Sequence, residues 1–237
     1  MNTKRQIVQR RIIIISFWLF PLTIYHLSPY IAVLSGLEGV FAGCLIVFAA
    51  QLAASLFLGR AFCGWLCPVA GLTEMCGLMT TKTAKNGRAR FLKYVIWGVW
   101  MGSIILLFAR AGGIHAVDPM YHTESLLHGF GRAIYFGVTG IVIVLSLVFG
   151  KRAFCHSICW MAPFMVLGTK LSRALRIPSL RLRGDSARCN GCGACTKTCP
   201  MGIDVQGKLA DGRMDDPECV LCARCADVCP KKALAVM

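Results

Sequence analysis

CNGCGACTKTCP at residues 189–200 and CVLCARCADVCP at residues 219–230 decide how the C-terminal part of this chain must fold. Each run has the spacing C-x2-C-x2-C-x3-C-P, and all four cysteines recur at an offset of 30 residues. Such a duplication implies two similar half-domains related by a pseudo-two-fold axis. Three cysteines in a tight loop reach three irons of one cubane, whereas a fourth held beyond a turn and followed by proline points to the neighbouring cluster. The spacing predicts one [4Fe-4S] cluster on Cys189, Cys192, Cys195 and Cys229, and a second on Cys199, Cys219, Cys222 and Cys225. Gly191 and Gly193 permit the close backbone approach and unusual dihedrals that a chain wrapped round a cluster requires. Structural zinc also suits paired C-x2-C units. Two complete runs, each closed by Cys-Pro, favour clusters instead.

The rest of the chain is of a different character. Of 237 residues 56% are hydrophobic, 14 are cysteine, and the mean hydropathy is +0.62, which places the chain among membrane proteins and metal proteins at once. A disulfide framework needs an oxidising compartment and usually a small secreted chain, so metal ligation is the better account of the cysteines. The formal charge of +15 raises nucleic acid as a partner. The basic residues avoid the apolar runs and gather at their ends, the pattern of a charged membrane face, and nucleic acid is set aside.

Four apolar runs are candidate spans: Ile12–Leu37, Gly39–Gly59, Tyr94–Ala109 and Ala133–Gly150. A bilayer core needs about 20 apolar residues, and the shorter third run is extended by snorkelling of Lys93 and Arg110. Pro21 and Pro29 predict a kink or early end of the first run near His26. Lys4, Arg5, Arg10 and Arg11 before an apolar stretch resemble a signal peptide, but no small-residue cleavage site follows, so retention is expected. With four spans, Arg110 and Arg132 are the only bases of 26 on one side. The positive-inside rule then puts both termini in the cytoplasm of an inner-membrane, multi-pass protein. Ala153–Thr169 is also uncharged, but bases at both ends predict a segment lying in or dipping into the cytoplasmic interface. The expected fold class is a membrane all-α part of four transmembrane helices, residues 1–180, with a C-terminal α+β two-cluster ferredoxin domain, residues 181–237.

A second internal repeat lies at the cytoplasmic ends of the second and fourth runs, LFLGRAFCGWLCPVAGL and LVFGKRAFCHSICWMAP. Each places a small residue and a base at the helix exit, then Ala-Phe, then C-x3-C: Cys63 with Cys67, and Cys155 with Cys159. Cysteines at i and i+4 share a face if the segment is helical, so each pair presents two thiols in one direction. Buried packing cysteines are the bland alternative. Duplication in one context favours a metal or redox role, with the thiolates beside Arg60 and Lys151. Cys44 and Cys76 have no partner at ligand spacing and read as inert. His156, inside the second motif, reads as an interfacial histidine.

These motifs together resemble the NapH-type membrane ferredoxins of periplasmic nitrate reduction and the membrane halves of NosR and CcoG. The likeness runs from the spans and GRAFCGWLCP to the paired ferredoxin runs. It departs at Cys159, where Trp160 follows and proline comes only at Pro163. The resemblance implies passage of electrons between the quinol pool and partner redox proteins, iron-sulfur or cytochrome subunits. The cofactors expected are two [4Fe-4S] clusters, a candidate third metal or iron-sulfur centre at the membrane face, and quinol. The CcoG likeness implies a different class, a copper reductase working through the membrane cysteines, and a redox sensor or assembly factor is a third. The outer loop carries His115, Asp118, Tyr121, His122, Glu124 and His128, a mixture able to bind a quinol head group and take its protons, although solvated loop residues are the better account of it.

Overall fold

The computed structural model describes residues 3–77, 79, 89–122, 129–212 and 214–237. The first apolar run is not one helix. It divides into α1 (Lys4–Trp18), α2 (Phe20–Thr23), a 3-10 turn at Tyr25–Leu27, and α3 (Pro29–Glu38). The break falls where the two prolines predict it. Pro29 opens α3 at a position that needs no amide hydrogen, and the Ser28 hydroxyl accepts from the Ile31 amide at 3.4 Å. Gly39, at φ 66°, ends α3 in the left-handed conformation.

Beyond α3, β1 (Val40–Ala42) pairs in parallel with β2 (Ala116–Asp118), Val40 opposite Ala116. Then follow α4 (Gly43–Leu58), α5 (Ala61–Trp65), α6 (Pro68–Cys76), α7 (Ala89–Arg110), α8 (Gly129–Phe149), α9 (Ala153–Ser157) and α10 (Ala162–Ala174). Among the described residues two helices are long and apolar enough to cross a membrane, Arg90–Arg110 in α7 and Arg132–Phe149 in α8, and α4 is a shorter apolar helix. Four spans are therefore an expectation met in part.

The core between these helices is aromatic. Phe48 of α4 stacks on Phe164 of α10 with centroids 5.4 Å apart, while Trp97 and Trp100 of α7 meet Phe164 edge-on. Further along the same pair, a Cβ on Gly168 would overlap the Ser55 hydroxyl, so glycine sets the closeness of the α4–α10 crossing. Phe48 and Ser55 meet Phe164 and Gly168 in the same order, so α10 runs parallel to α4 and ends beside it. Residues 153–169 are thus not one continuous helix but α9 and the start of α10 on either side of a bend. The bend is fixed by Trp160, whose indole N–H donates to the Leu27 carbonyl at 3.0 Å, within the break of the first run.

The C-terminal part begins with β3 (Leu182–Gly184), antiparallel to β4 (Leu234–Val236), and between them lie α11 (Ala194–Thr198), α12 (Val205–Ala210) and α13 (Arg224–Val228). The duplication is written into the backbone. Gly191, Gly193 and Gly202 have positive φ, and so do Leu221, Ala223 and Lys232, each 30 residues later. Glycine takes this conformation freely. The other three side chains cost roughly 1–2 kcal/mol each there, so the second run keeps the loop path of the first without its glycines.

Candidate metal centres

Cys199, Cys219, Cys222 and Cys225 line one cavity whose other walls include Leu182, Met201, Ile203 and Val220. Sequence spacing groups these four, and the fold brings them together: Cys199 closes the first run at the end of α11, the loop before α13 supplies Cys219 and Cys222, and the first turn of α13 supplies Cys225. Burial first, and then the Cys222, Cys219 and Cys199 sulfurs, hold the Cys225 thiol well above the usual range. Burial likewise pushes Cys219 up to about 12. Four thiols turned into one apolar cavity fit a [4Fe-4S] cubane, whose cationic core favours the thiolates that burial alone opposes. Among the described residues no group of three or more His, Cys, Asp or Glu is gathered round a single-ion site; a cubane instead spreads its thiolates over its corners.

The first run is placed differently. Cys195 is buried with Cys189 as an electrostatic neighbour, Cys189 and Cys229 are half-buried, and Cys192 is exposed. Cys229 Sγ accepts from the Ala233 amide at 3.3 Å. The two predicted sites are therefore unequal, one enclosed and one opening to solvent at Cys192.

The enclosed site sits against the first C-x3-C motif. A Cβ on Gly64 would overlap the Val220 carbonyl oxygen, so the two loops touch through backbone. Trp65 Nε1 donates to the Leu221 carbonyl at 3.1 Å. From α1, Gln6 donates to the Cys222 carbonyl at 3.0 Å and Gln9 to the Gly64 carbonyl at 2.5 Å, which latches the N-terminal helix to both loops.

The two C-x3-C motifs fold alike, but not as single helix faces. The amides of Cys67 and Cys159 reach back to the carbonyls of Phe62 and Phe154 at 2.9 and 3.0 Å, and each second cysteine lies just past the end of α5 or α9. Pro68 accounts for this after Cys67, because it disfavours helix in the residue before it. Cys159 makes the same turn without a following proline. The motifs converge nonetheless: Arg152 Nη1 donates to the Cys63 carbonyl at 3.0 Å, and Cys63 Sγ lies 3.2 Å from Met165 Sδ on α10. Burial, then the Cys63, Cys155 and Cys159 sulfurs, hold Cys67 well above the usual thiol range.

The base that enters this group from the second repeat is Arg152, not the predicted Lys151. Arg152 aligns with Arg60 when the two Arg-Ala-Phe-Cys runs are superposed, and both are 1% exposed. Arg60 pairs with Glu218 at 2.5 Å, and Lys93 pairs with the same carboxylate at 2.7 Å, with Tyr94 donating to it at 2.9 Å. Arg152 pairs with Glu74 at 3.3 Å, and Arg224 joins that carboxylate at 2.8 Å. Despite the burial that opposes ionisation, Arg60 and Lys93 hold Glu218 down at about 2. These acidic residues carry a signal in the sequence: Glu74 is the single acid between Glu38 and Asp118, and Glu218 directly precedes a ligand cysteine.

The remaining candidates are local. Cys44 and Cys76 lie in the apolar core. His156 is buried, with neither ring nitrogen hydrogen-bonded among the described residues, and burial with Arg90 and Lys93 nearby holds it down at about 4. In the outer loop His115 Nε2 meets the Ala111 carbonyl at 2.5 Å, Asp118 accepts from the Met120 amide at 2.9 Å, and the Tyr121 and His122 rings meet edge-on. Glu124 and His128 lie outside the described residues.

Comparison with known proteins agrees with this geometry. The family described as "4Fe-4S dicluster domain" matches residues 188–234, and that described as "4Fe-4S binding domain" matches residues 41–84 and 131–178, the segments that hold the two C-x3-C motifs. The chain is 29% identical to the putative electron transport protein YccM of Escherichia coli over 85% of its length and 57% of that protein. It is 26% identical to the ferredoxin-type protein NapH of Haemophilus influenzae, over 81% of this chain and 65% of that one. It is 30% identical to the regulatory protein NosR of Pseudomonas aeruginosa, over 75% of this chain and 26% of that one. The chain thus spans less than two thirds of the length of these curated relatives. No solved structure matches it. Paired ferredoxin runs, a duplicated C-x3-C motif and these relatives together make the chain a NapH-like member of the 4Fe-4S ferredoxin-type proteins.

Proposed function

We propose that the chain is a membrane-anchored iron-sulfur electron-transfer protein that takes electrons from a quinol and passes them to a partner iron-sulfur or cytochrome protein. The observation that carries the reading is the inequality of the two ferredoxin sites. Cys199, Cys219, Cys222 and Cys225 are enclosed against the Cys63 loop, while the site of Cys189, Cys192, Cys195 and Cys229 opens to solvent at Cys192. Electrons then enter at the inner site from the membrane side and leave at the outer one. The clusters supply one-electron chemistry, and the chain's own residues do the rest. The eight cysteines hold, the apolar walls of the inner cavity exclude water, and the exposed rim at Cys192 leaves the outer site within reach of a partner. A quinol releases two electrons and two protons, so a relay of one-electron sites passes the electrons singly. The relatives' printed names, an electron transport protein and ferredoxin-type proteins, support the same reading.

The topology that suits it has four spans, residues 1–180 in and against the inner membrane, residues 181–237 as the ferredoxin domain, and both termini cytoplasmic. A reporter fused after Met237 should be active only in a cytoplasmic form, and one placed near His122 only on the opposite side; reversed signals would overturn the orientation. For the function itself, quinol added to proteoliposomes of the full chain should bleach the cluster absorption, and His122→Ala should slow that step if the outer loop takes the head group. Clusters that dithionite reduces but quinol does not would refute the quinol donor.

A further inference from the structure

We propose that Cys63, Cys67, Cys155 and Cys159 hold a third thiolate-ligated iron-sulfur centre, and that Arg60 and Arg152 are the hydrogen-bond donors and counter-charges built to receive it. The alternative is that the four are packing cysteines in an apolar core. Packing thiols call for no cations, yet two guanidinium groups are buried beside them at 1% exposure. Arg60 has Cys63 and Cys159 among its electrostatic neighbours, and Arg152 has Cys155 and Cys67, with Cys222 of the inner ferredoxin site after them, so each base acts on one cysteine of its own motif and one of the other.

Two further observations point at a ligand. The Nε–H of Arg60 and that of Arg152 are both buried without a hydrogen-bond partner among the described residues, although Arg60 Nη1 donates to Glu218 and both Nη atoms of Arg152 are engaged. Burying a charged donor unpaired is costly, and sulfur acceptors of a cluster or its thiolates would meet the need of both at once. The second observation is charge. Each arginine belongs to a triad of two cations and one carboxylate, Arg60 and Lys93 with Glu218, Arg152 and Arg224 with Glu74, which leaves a net +1 on each. A doubly charged cationic core held by four thiolates is a dianion, which the two triads would neutralise.

The repeat separates the arginines from their acids. Glu218 comes from the ferredoxin part and Glu74 from α6, positions that the duplication does not relate, whereas the arginines and the cysteines recur together. What the two arginines share is therefore the thiol group, not a common acidic partner. The position is useful, because the Cys63–Gly64 backbone lies against Val220 of the inner ferredoxin loop. The four cysteines would thus set a one-electron step between a quinol, which releases two electrons and two protons, and the inner ferredoxin site. That placement rests on the electron-transfer reading, whereas the metal content does not.

The test uses the full chain purified without oxygen, with iron and acid-labile sulfide counted and an EPR-monitored redox titration. About twelve irons are expected for a third cubane, or about ten for a two-iron centre, against about eight for the ferredoxin sites alone. Cys63→Ser combined with Cys155→Ser should return the count to about eight and remove one signal, leaving the two ferredoxin signals in place. If that variant does not fold, Arg60→Gln decides, since Lys93 remains to pair with Glu218. It should keep all the iron while lowering the midpoint of the third signal more than that of either ferredoxin signal. Wild-type protein with about eight irons and no third signal would overturn the proposal, as would zinc or copper on the four cysteines in place of iron. In either case quinol reduction of the two ferredoxin clusters would still leave the electron-transfer reading standing.

Discussion

Cys222→Ser in the full chain is expected to lose about four of the eight ferredoxin irons and one of the two ferredoxin EPR signals, with quinol-driven electron passage falling to background. Cys222 lines the inner cavity, and its carbonyl is held by Gln6 of α1, so the serine will stay where the cysteine was. A neutral hydroxyl is a poor substitute for a soft thiolate on iron. Cys192→Ser, at the exposed rim of the outer site, should give the complementary result. The inner cluster should remain reducible by quinol while reduction of any added acceptor protein fails. Iron and EPR intensity, measured with quinol-driven reduction in proteoliposomes, separate the two variants. If Cys192→Ser blocked quinol entry while Cys222→Ser did not, the assignment of inner and outer sites would be reversed.

Glu218→Ala is expected to destabilise the folded chain by about 3–5 kcal/mol, because removing the carboxylate leaves Arg60 and Lys93 buried side by side without a counter-charge. Arg60 is 1% and Lys93 0% exposed, so water cannot take the place of Glu218. The same carboxylate joins the ferredoxin loop to α7 and to the exit of α4, so its loss should also loosen the inner site from the membrane part. Asp185→Ala is the control. Its pair with Arg188 lies in solvent, where such pairs contribute about 0–1 kcal/mol. Thermal unfolding of the anaerobically purified full chain compares the two. Equal and small shifts would mean that Glu218 is not the buried tie described above.

The C-terminal duplication was legible because its information is local. Ligand spacing within each run and the offset between runs group the cysteines, Cys199, Cys219, Cys222 and Cys225 do line one cavity, and the matched positive-φ positions at 191 and 221, 193 and 223 show the same duplication in the backbone. The break of the first apolar run was also legible, since proline acts on its own neighbourhood. What the sequence concealed is set by distant partners. Lys151 and Arg152 are adjacent bases, and nothing local says which turns inward. The left-handed Gly150 and Arg152, at φ 99° and 62°, aim the second of them at Cys63. The two cysteines of each C-x3-C motif do not lie on one helix face because the helix stops two residues after the first, at Trp65 and at Ser157. The convergence they were expected to show comes from the packing of α10 on α4, which brings Met165 to Cys63. The length of α4 likewise falls short of its apolar run, because the chain spends residues on β1 and on the turn at Gly59.

In the proposed electron-transfer reading, eight cysteines of the C-terminal part hold two reducible cubanes, the inner one enclosed against the membrane part. The most direct measurement is an EPR-monitored redox titration of the anaerobically purified full chain, with iron and sulfide counted on the same sample. Two ferredoxin-type signals that broaden one another when both sites are reduced, each removed separately by Cys192→Ser and Cys222→Ser, are the predicted result. Zinc in place of iron, with no signal on reduction, would contradict it.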